Sequence, residues 1–128
     1  MRPEVVFTVI FLKDGKHLAC PTVLSEFGRE ARVEIPDEMR VVVLAMSPNQ
    51  EGRCLTSATM SLFKDGAWRQ VKEMTMEAYL SMTPSFEYSV PDTAYRFVVM
   101  PRRIVPASPD GQYLAVGETT QTITWHFK

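Results

Sequence analysis

Apolar and polar residues alternate with a period of two along most of this chain, and that pattern predicts β-strands. Every second side chain of a strand faces the same side of the sheet, so alternation marks one buried and one solvated face. Two further stretches, residues 5–12 and 41–46, are apolar almost throughout and predict central strands buried on both faces. The alternating stretches are residues 31–35, 58–62, 86–90, 95–99 and 123–127.

Three aspartate–glycine pairs separate these stretches. Glycine adopts positive φ without a Cβ clash, so an Asp-Gly pair between apolar stretches predicts a hairpin turn. With hairpins around Trp68 and Tyr113, the pattern gives roughly eight to ten short strands. It predicts an all-β fold, a single antiparallel β-sandwich of immunoglobulin-like or similar type. The pairs are Asp14-Gly15, Asp65-Gly66 and Asp110-Gly111.

Two segments leave the details of this architecture open. Residues 75–82 contain good helix formers before Pro84, which allows one short helix there, although a strand and a loop explain them equally well. We expect residues 1–128 to form one β-sandwich domain. Residues 107–128 follow a proline-rich stretch and are a candidate C-terminal hairpin extension, too short to be a second domain.

Composition places the chain among globular proteins and excludes several function classes. Its 128 residues are 45% apolar and 23% charged, the balance of a folded domain. Fourteen basic and fifteen acidic residues give a net charge of −1, which opposes nucleic-acid binding because that affinity needs a basic surface. No stretch approaches the roughly 20 consecutive apolar residues of a membrane-spanning helix.

Side chains that carry chemistry are few. The two histidines, His17 and His126, have no Gly-x-Ser-x-Gly sequence to present a nucleophile to them. The two cysteines, Cys20 and Cys54, lack any paired zinc-binding spacing and either form one disulfide in an oxidising compartment or remain thiols. We predict no catalytic residues, no metal site and no cofactor.

Methionine, with eight residues, keeps one metal alternative open. Met74 and Met76, with Met82 nearby, form a thioether-rich segment of the kind that Cu(I) prefers. Methionine also fills irregular gaps in hydrophobic cores, which explains these residues without a metal. A copper-binding domain needs Met74, Met76 and a further soft ligand at one point.

Residues 19–36 combine a proline, alternating apolar positions and a glycine turn. The positions that carry this motif are Pro21, Val23, Ser25, Gly28, Ala31, Val33 and Ile35. The motif resembles a strand–turn–strand unit of bacterial secretins, the outer-membrane gate proteins of secretion and pilus systems. The resemblance implies a small β domain associated with the bacterial envelope, and it carries over no catalytic residue.

The compartment stays open between two alternatives. Residues 5–12 and the residues before Cys20 have features of an export signal, but charge and a turn at residues 13–17 interrupt them. We expect the periplasm or cell envelope if a signal peptide was removed, and the cytoplasm otherwise.

These observations favour a non-enzymatic protein-interaction or assembly module that acts through exposed strand edges. Such an edge offers unpaired N–H and C=O groups to a strand of a partner protein or of a second copy, which is β-augmentation. The candidate edge is residues 119–127, which contain no glycine or proline and several threonines. The alternative is a small-ligand-binding or enzymatic β domain whose site is assembled from distant residues. Candidate partner-binding residues are Trp68, Thr122, Thr124, His126 and, in a basic cluster with Arg96 at the end of a strand, Arg102 and Arg103.

Overall fold

Strands account for most of the chain. The computed structural model describes residues 3–106, 112–116 and 121–124, the last two segments through their backbone pairing. Within these ranges the one helical element is a 3₁₀ turn of three residues, Leu80–Met82. No helix there has the length and apolar character to cross a membrane. The strands are β1 (Val5–Lys13), β2 (Lys16–Ala19), β3 (Thr22–Ser25), β4 (Ala31–Ile35), β5 (Met39–Ala45), β6 (Arg53–Lys64), β7 (Ala67–Tyr79), β8 (Phe86–Ser89), β9 (Tyr95–Pro106), β10 (Gln112–Val116) and β11 (Gln121–Thr124).

The strands form two antiparallel sheets. The seven-stranded sheet has the order β11-β10-β9-β1-β2, with β3 also paired to β1 and β8 also paired to β9. The four-stranded sheet is a meander of consecutive strands, β4-β5-β6-β7. The predicted all-β, sandwich-like fold is thereby confirmed. The second sheet differs from those of immunoglobulin domains, in which strands that follow one another in the sequence are divided between the two sheets.

The hydrophobic core lies between the two sheets. Alternate residues of β1, β5, β6, β8 and β9 point inward, and most of them are at most 1% exposed. Burial of each such side chain contributes about 1.5–3 kcal/mol to folding. Two of the rings, Phe11 and Phe97, pack edge to face with their centroids 5.9 Å apart. The largest of these side chains are Phe7, Phe11, Phe86, Phe97, Met39, Met60, Val5, Val9, Val41, Val43 and Val99.

Two of the three predicted Asp-Gly turns are confirmed as hairpin turns. Asp14 and Gly15 join β1 to β2 with φ of 53° and 73°, and Asp65 and Gly66 join β6 to β7 with φ of 54° and 79°. Positive φ at both central residues defines the type I′ turn, whose twist matches that of the flanking strands. The third pair, at residues 110–111, lies outside the described residues.

Residues 75–82 do not form the short helix that their composition allows. β7 stays extended through Tyr79, and only Leu80–Met82 adopt a 3₁₀ turn. Met74 and Met76 pack against the core while Thr75 between them is exposed, which is a period of two. Pairing with β6 therefore outweighs the helix propensity of this segment.

The two almost wholly apolar stretches differ in burial. In β1 the prediction holds in part, because Val6 and Leu12 on the outer face are buried while Ile10 between them is half-buried. In β5 the prediction is wrong, because Val42 and Leu44 on the outer face are only half-buried. Met46, which follows the strand, is 44% exposed. An apolar sequence does not reveal whether a second layer covers the strand.

Residues 19–36 form two strands that belong to different sheets. β3 pairs with β1, whereas β4 pairs with β5. Gly28 lies in the connection with φ of 83°, and its N–H donates to the C=O of Ala45 at 2.8 Å. The segment thus carries the chain from the seven-stranded to the four-stranded sheet. At the other end of the chain, β10 and β11 pair with each other and extend the seven-stranded sheet beyond β9.

Candidate functional site

β7 forms one edge of the four-stranded sheet. It is the longest described strand, with 13 residues, and it pairs with β6 from Ala67 to Tyr79. No described strand pairs with its other side. Its sequence contains neither glycine nor proline, so every residue of the strand keeps a backbone N–H.

The hydrogen bonds between β5 and β6 determine which backbone groups of β7 face outward. The N–H of Met46 donates to the C=O of Leu55 at 2.9 Å, and the N–H of Phe63 donates to the C=O of Glu38 at 3.0 Å. In an antiparallel sheet, alternate residues of a strand bond to opposite neighbours. Leu55, Phe63 and the odd-numbered residues between them therefore bond to β5, and the even-numbered residues bond to β7.

The outward-facing residues of β7 follow from this alternation. Even-numbered residues of β6 lie opposite Met74 and Met76, so these two methionines bond to β6. The N–H and C=O groups of Glu73, Thr75 and Glu77 must then point away from the sheet. Their side chains project from the outer face and are exposed. We call Glu73, Thr75 and Glu77 with their outward backbone groups the free edge.

A β-bulge lies just before the free edge. Met60 lies opposite Lys72 and Ser61 opposite Gln70, so Val71 is an extra residue in β7. Bulges and charged side chains are two of the devices by which proteins prevent unselective pairing at sheet edges. β7 has both features, and they disfavour unselective pairing at this edge.

Carboxylates dominate the free edge. The Oε2 atom of Glu77 is 3.5 Å from Nη1 of Arg53, whose Nη2 is 3.0 Å from Oε2 of Glu51. Glu73 makes no ion pair within the described part of the chain. One guanidinium thus serves two carboxylates, and Glu73 has no ion-pair partner among the residues that the structure describes.

An apolar depression of 280 Å³ adjoins the free edge on the outer face of the four-stranded sheet. Glu73 and Thr75 of β7 form the rim of this depression on the side of the free edge. Met46 and Leu55 in its lining are 44% and 47% exposed. Leu44 and Ser57 complete the lining. Exposed apolar side chains thus lie directly beside a strand edge that no described strand covers.

Trp68 lies on the same outer face, at the turn end of β7. Its ring packs edge to face on Phe63, with the centroids 5.3 Å apart, and the guanidinium of Arg40 lies 4.5 Å from the ring centroid. These contacts leave Trp68 half-buried. The indole is therefore held in place by its own sheet, and it does not belong to the core cluster.

The edge chosen from the sequence also has outward backbone groups. The N–H of Ile104 donates to the C=O of Glu4 at 3.0 Å, so even-numbered residues of β9 bond to β1 and odd-numbered residues to β10. The even-numbered residues of β10 then bond to β9 and the odd-numbered ones to β11. The backbone groups of Ile123 therefore bond to β10, and those of Thr122 and Thr124 face outward. β11 is the last strand of its sheet in the described residues. His126 lies outside the described residues.

The predicted basic cluster of arginines does not form. β9 continues to Pro106, so Arg102 and Arg103 lie within the strand and their side chains point to opposite faces. Arg96, six residues earlier, is ion-paired with Glu87 at 2.9 Å. Arg103 is exposed and lines a second surface depression, of 170 Å³, with Glu4 and other residues.

The candidate nucleophiles and metal ligands differ in burial. Cys20 is exposed and Cys54 is buried, both as free thiols. Burial raises the pKa of Cys54, and the positive charge of Arg103 opposes this rise in part. Met82 is 61% exposed, whereas Met74 and Met76 pack against the core. Within the described residues no three His, Cys, Asp or Glu side chains converge on a metal site.

Comparison with protein-family models, with curated proteins and with solved structures found no match to this chain.

Sequence reasoning missed the free edge and the depression beside it. The signal was present, because Met74 and Met76 alternate with Glu73, Thr75 and Glu77 directly after a hairpin. The helix formers of this segment concealed it. That β7 lies at an edge depends on sheet order, which no local pattern contains.

Proposed function

We propose that this chain is a non-enzymatic protein-interaction module that binds a partner strand along its exposed sheet edges. The observation that carries the proposal is the free edge of β7, where every second residue, namely Glu73, Thr75 and Glu77, points its backbone N–H and C=O groups outward. A strand that pairs there gains backbone hydrogen bonds and contact with the adjacent apolar depression.

Other features of the molecule support an interaction role. The space between the sheets is filled by fully buried side chains, and both depressions described above are open to the surface. β11 offers a second, shorter edge at Thr122 and Thr124. The resemblance of residues 19–36 to secretins extends the proposal to an assembly of the bacterial envelope.

A pair of proline substitutions tests the proposal. Thr75→Pro removes an N–H that the β6–β7 pairing does not use, so the protein should fold while the free edge is blocked. Glu34→Pro is the matched control. Val33 lies opposite Val41 and bonds to β5, so the backbone groups of the next residue, Glu34, face outward at the other edge of the same sheet. Tagged versions of the full chain are then used to capture partners from its own cells.

A protein held by the wild type and by Glu34→Pro, but lost with Thr75→Pro, supports binding along the free edge. Thr122→Pro tests the β11 edge in the same way. A partner that all of these folded variants retain would show that binding uses the sheet faces, and the proposal would be wrong.

A further inference from the structure

We infer that the free edge of β7 selects a basic, amphipathic strand: two Lys or Arg residues four positions apart, with a large apolar residue midway between them. This inference rests on the proposed function, because it specifies the partner of an edge that is proposed to bind strands.

The spacing follows from strand geometry. Glu73, Thr75 and Glu77 each present both backbone groups outward, so an antiparallel partner would pair with them at every second residue. Directly opposed residues in such a pair have side chains on the same face and Cα atoms about 5.5 Å apart. Three alternate partner residues would thus lie beside Glu73, Thr75 and Glu77 on the outer face.

Charge determines the two outer positions of the partner. Glu73 has no ion-pair partner in the described residues, and Glu77 shares Arg53 with Glu51. An opposite charge directly across two strands is favourable, and a like charge is unfavourable. The residues opposite Glu73 and Glu77 are therefore Lys or Arg.

The depression determines the middle position. The partner residue opposite Thr75 lies next to the rim that Thr75 and Glu73 form. A long apolar side chain at this position can lie across Thr75 toward Leu55, which is 47% exposed. Burying that surface favours leucine, methionine or an aromatic residue there.

The intervening partner residues face the other side of the sheet. They would lie beside Met74 and Met76, which pack against the core and are only half-buried. Apolar residues at these positions extend the core, whereas charged residues would be desolvated there. On the outer face the partner strand thus carries a basic, an apolar and a basic residue in turn. The residues between them, on the inner face, are apolar.

A second copy of this chain does not fit the free edge. The antiparallel register that pairs all three outward-facing residues of the edge with those of a second copy is centred on Thr75, and it places Glu73 opposite Glu77 of the other copy at both ends. Two like-charged pairs oppose that dimer. The partner is therefore a basic segment of a different polypeptide.

Peptide binding to the full chain tests this inference. The probe is the capped peptide Val-Lys-Val-Leu-Val-Lys-Val. One control replaces both lysines with glutamate. The other is N-methylated at the two lysines and the leucine, whose N–H groups would face β7. Binding is followed by titration calorimetry and by the amide NMR signals of the protein. We expect the lysine peptide to shift the amide signals of Glu73, Thr75 and Glu77 and to bind at least about tenfold more tightly than the glutamate peptide.

Charge-reversed protein variants provide the reciprocal test. Glu73→Lys with Glu77→Lys should reverse the preference, so that the glutamate peptide binds more tightly. Glu30→Lys with Glu34→Lys changes the net charge equally at exposed residues away from β7 and should leave the preference unchanged. Loss of selectivity in this control would assign the effect to overall charge and overturn the inference.

The outcomes separate this inference from the proposed function. Equal binding of both peptides at the β7 amides would overturn the charge selectivity and leave strand pairing intact. Tight binding of the N-methylated peptide, or signal shifts away from β7, would contradict pairing at the free edge itself. Failure of every peptide to shift the β7 signals would contradict both.

Discussion

β6 and β7 are the two strands of one hairpin, they are 12 and 13 residues long, and they differ sharply in burial. On β6, Cys54, Ala58 and Met60 are fully buried, whereas β7 has one buried residue, Ala78. β6 has a neighbouring strand on both sides, whereas β7 has one on a single side among the strands that the structure describes. Position in the sheet, more than composition, separates the strand that stabilises the fold from the strand that is available to a partner.

Alanine substitution on the inner faces of the two strands should give the largest contrast. Met60→Ala removes a fully buried side chain of β6 and should lower the free energy of unfolding by about 3 kcal/mol. Met76→Ala on half-buried β7 should lower it by roughly 1 kcal/mol. Urea denaturation measures both, and equal losses would contradict the assignment of β7 as an edge.

Proline substitution at adjacent β7 positions sharpens the comparison within one strand. Met76→Pro removes an N–H that bonds to β6 and leaves a carbonyl unpaired, whereas Thr75→Pro removes an outward N–H. Met76→Pro should therefore be less stable than Thr75→Pro by about 2 kcal/mol. Thermal or urea denaturation of the two variants checks this, and the reverse order would mean that the alternation along β7 is assigned wrongly.

Thr56 is the polar exception on the inner face of β6. It is 1% exposed, and its hydroxyl has no hydrogen-bond partner within the described structure. Thr56→Val replaces this hydroxyl with a methyl group of similar size and should raise the free energy of unfolding by about 1 kcal/mol. Thr75→Val, at an exposed position on β7, is the control and should change it little. Destabilisation by Thr56→Val would reveal a hydrogen bond at this hydroxyl.

Cys54 on β6 should give the smallest effect, a dependence of stability on alkaline pH. Burial raises the pKa of its thiol in the folded state, so the unfolded chain loses this proton first as the pH rises. The resulting stability is present in full below the ordinary thiol pKa and is lost as the pH rises toward the raised value. Denaturation across alkaline pH should show a steeper decline for the wild type than for Cys54→Ala. Parallel declines would contradict the burial of this thiol.

Sequence reasoning succeeded where structure depends on neighbouring residues. The turns at Asp14-Gly15 and Asp65-Gly66 were predictable because positive φ is a local requirement that these residue pairs meet. The apolar stretch at residues 41–46 predicted strand β5 and the burial of its inner face, but it wrongly predicted that the outer positions Val42 and Leu44 are buried as well. Whether a face is covered depends on strands distant in the sequence.

The candidate site was less predictable for the same reason. Thr122 and Thr124 were chosen from composition, and the register does turn their backbone groups outward. The arginine cluster failed because residues adjacent in a strand face opposite sides, as Arg102 and Arg103 do. Predicting the free edge would have required the order of strands in the sheet, which depends on pairing between residues distant in the sequence.

Amide hydrogen exchange along β7, followed residue by residue by NMR in the protein without a partner, tests the central claim most directly. The amides of Met74 and Met76 bond to β6 and should be protected, while those of Glu73, Thr75 and Glu77 should exchange roughly a hundredfold faster or more. Uniform protection along these five residues would show that the outer side of β7 is already paired, and the account of a free edge would be wrong.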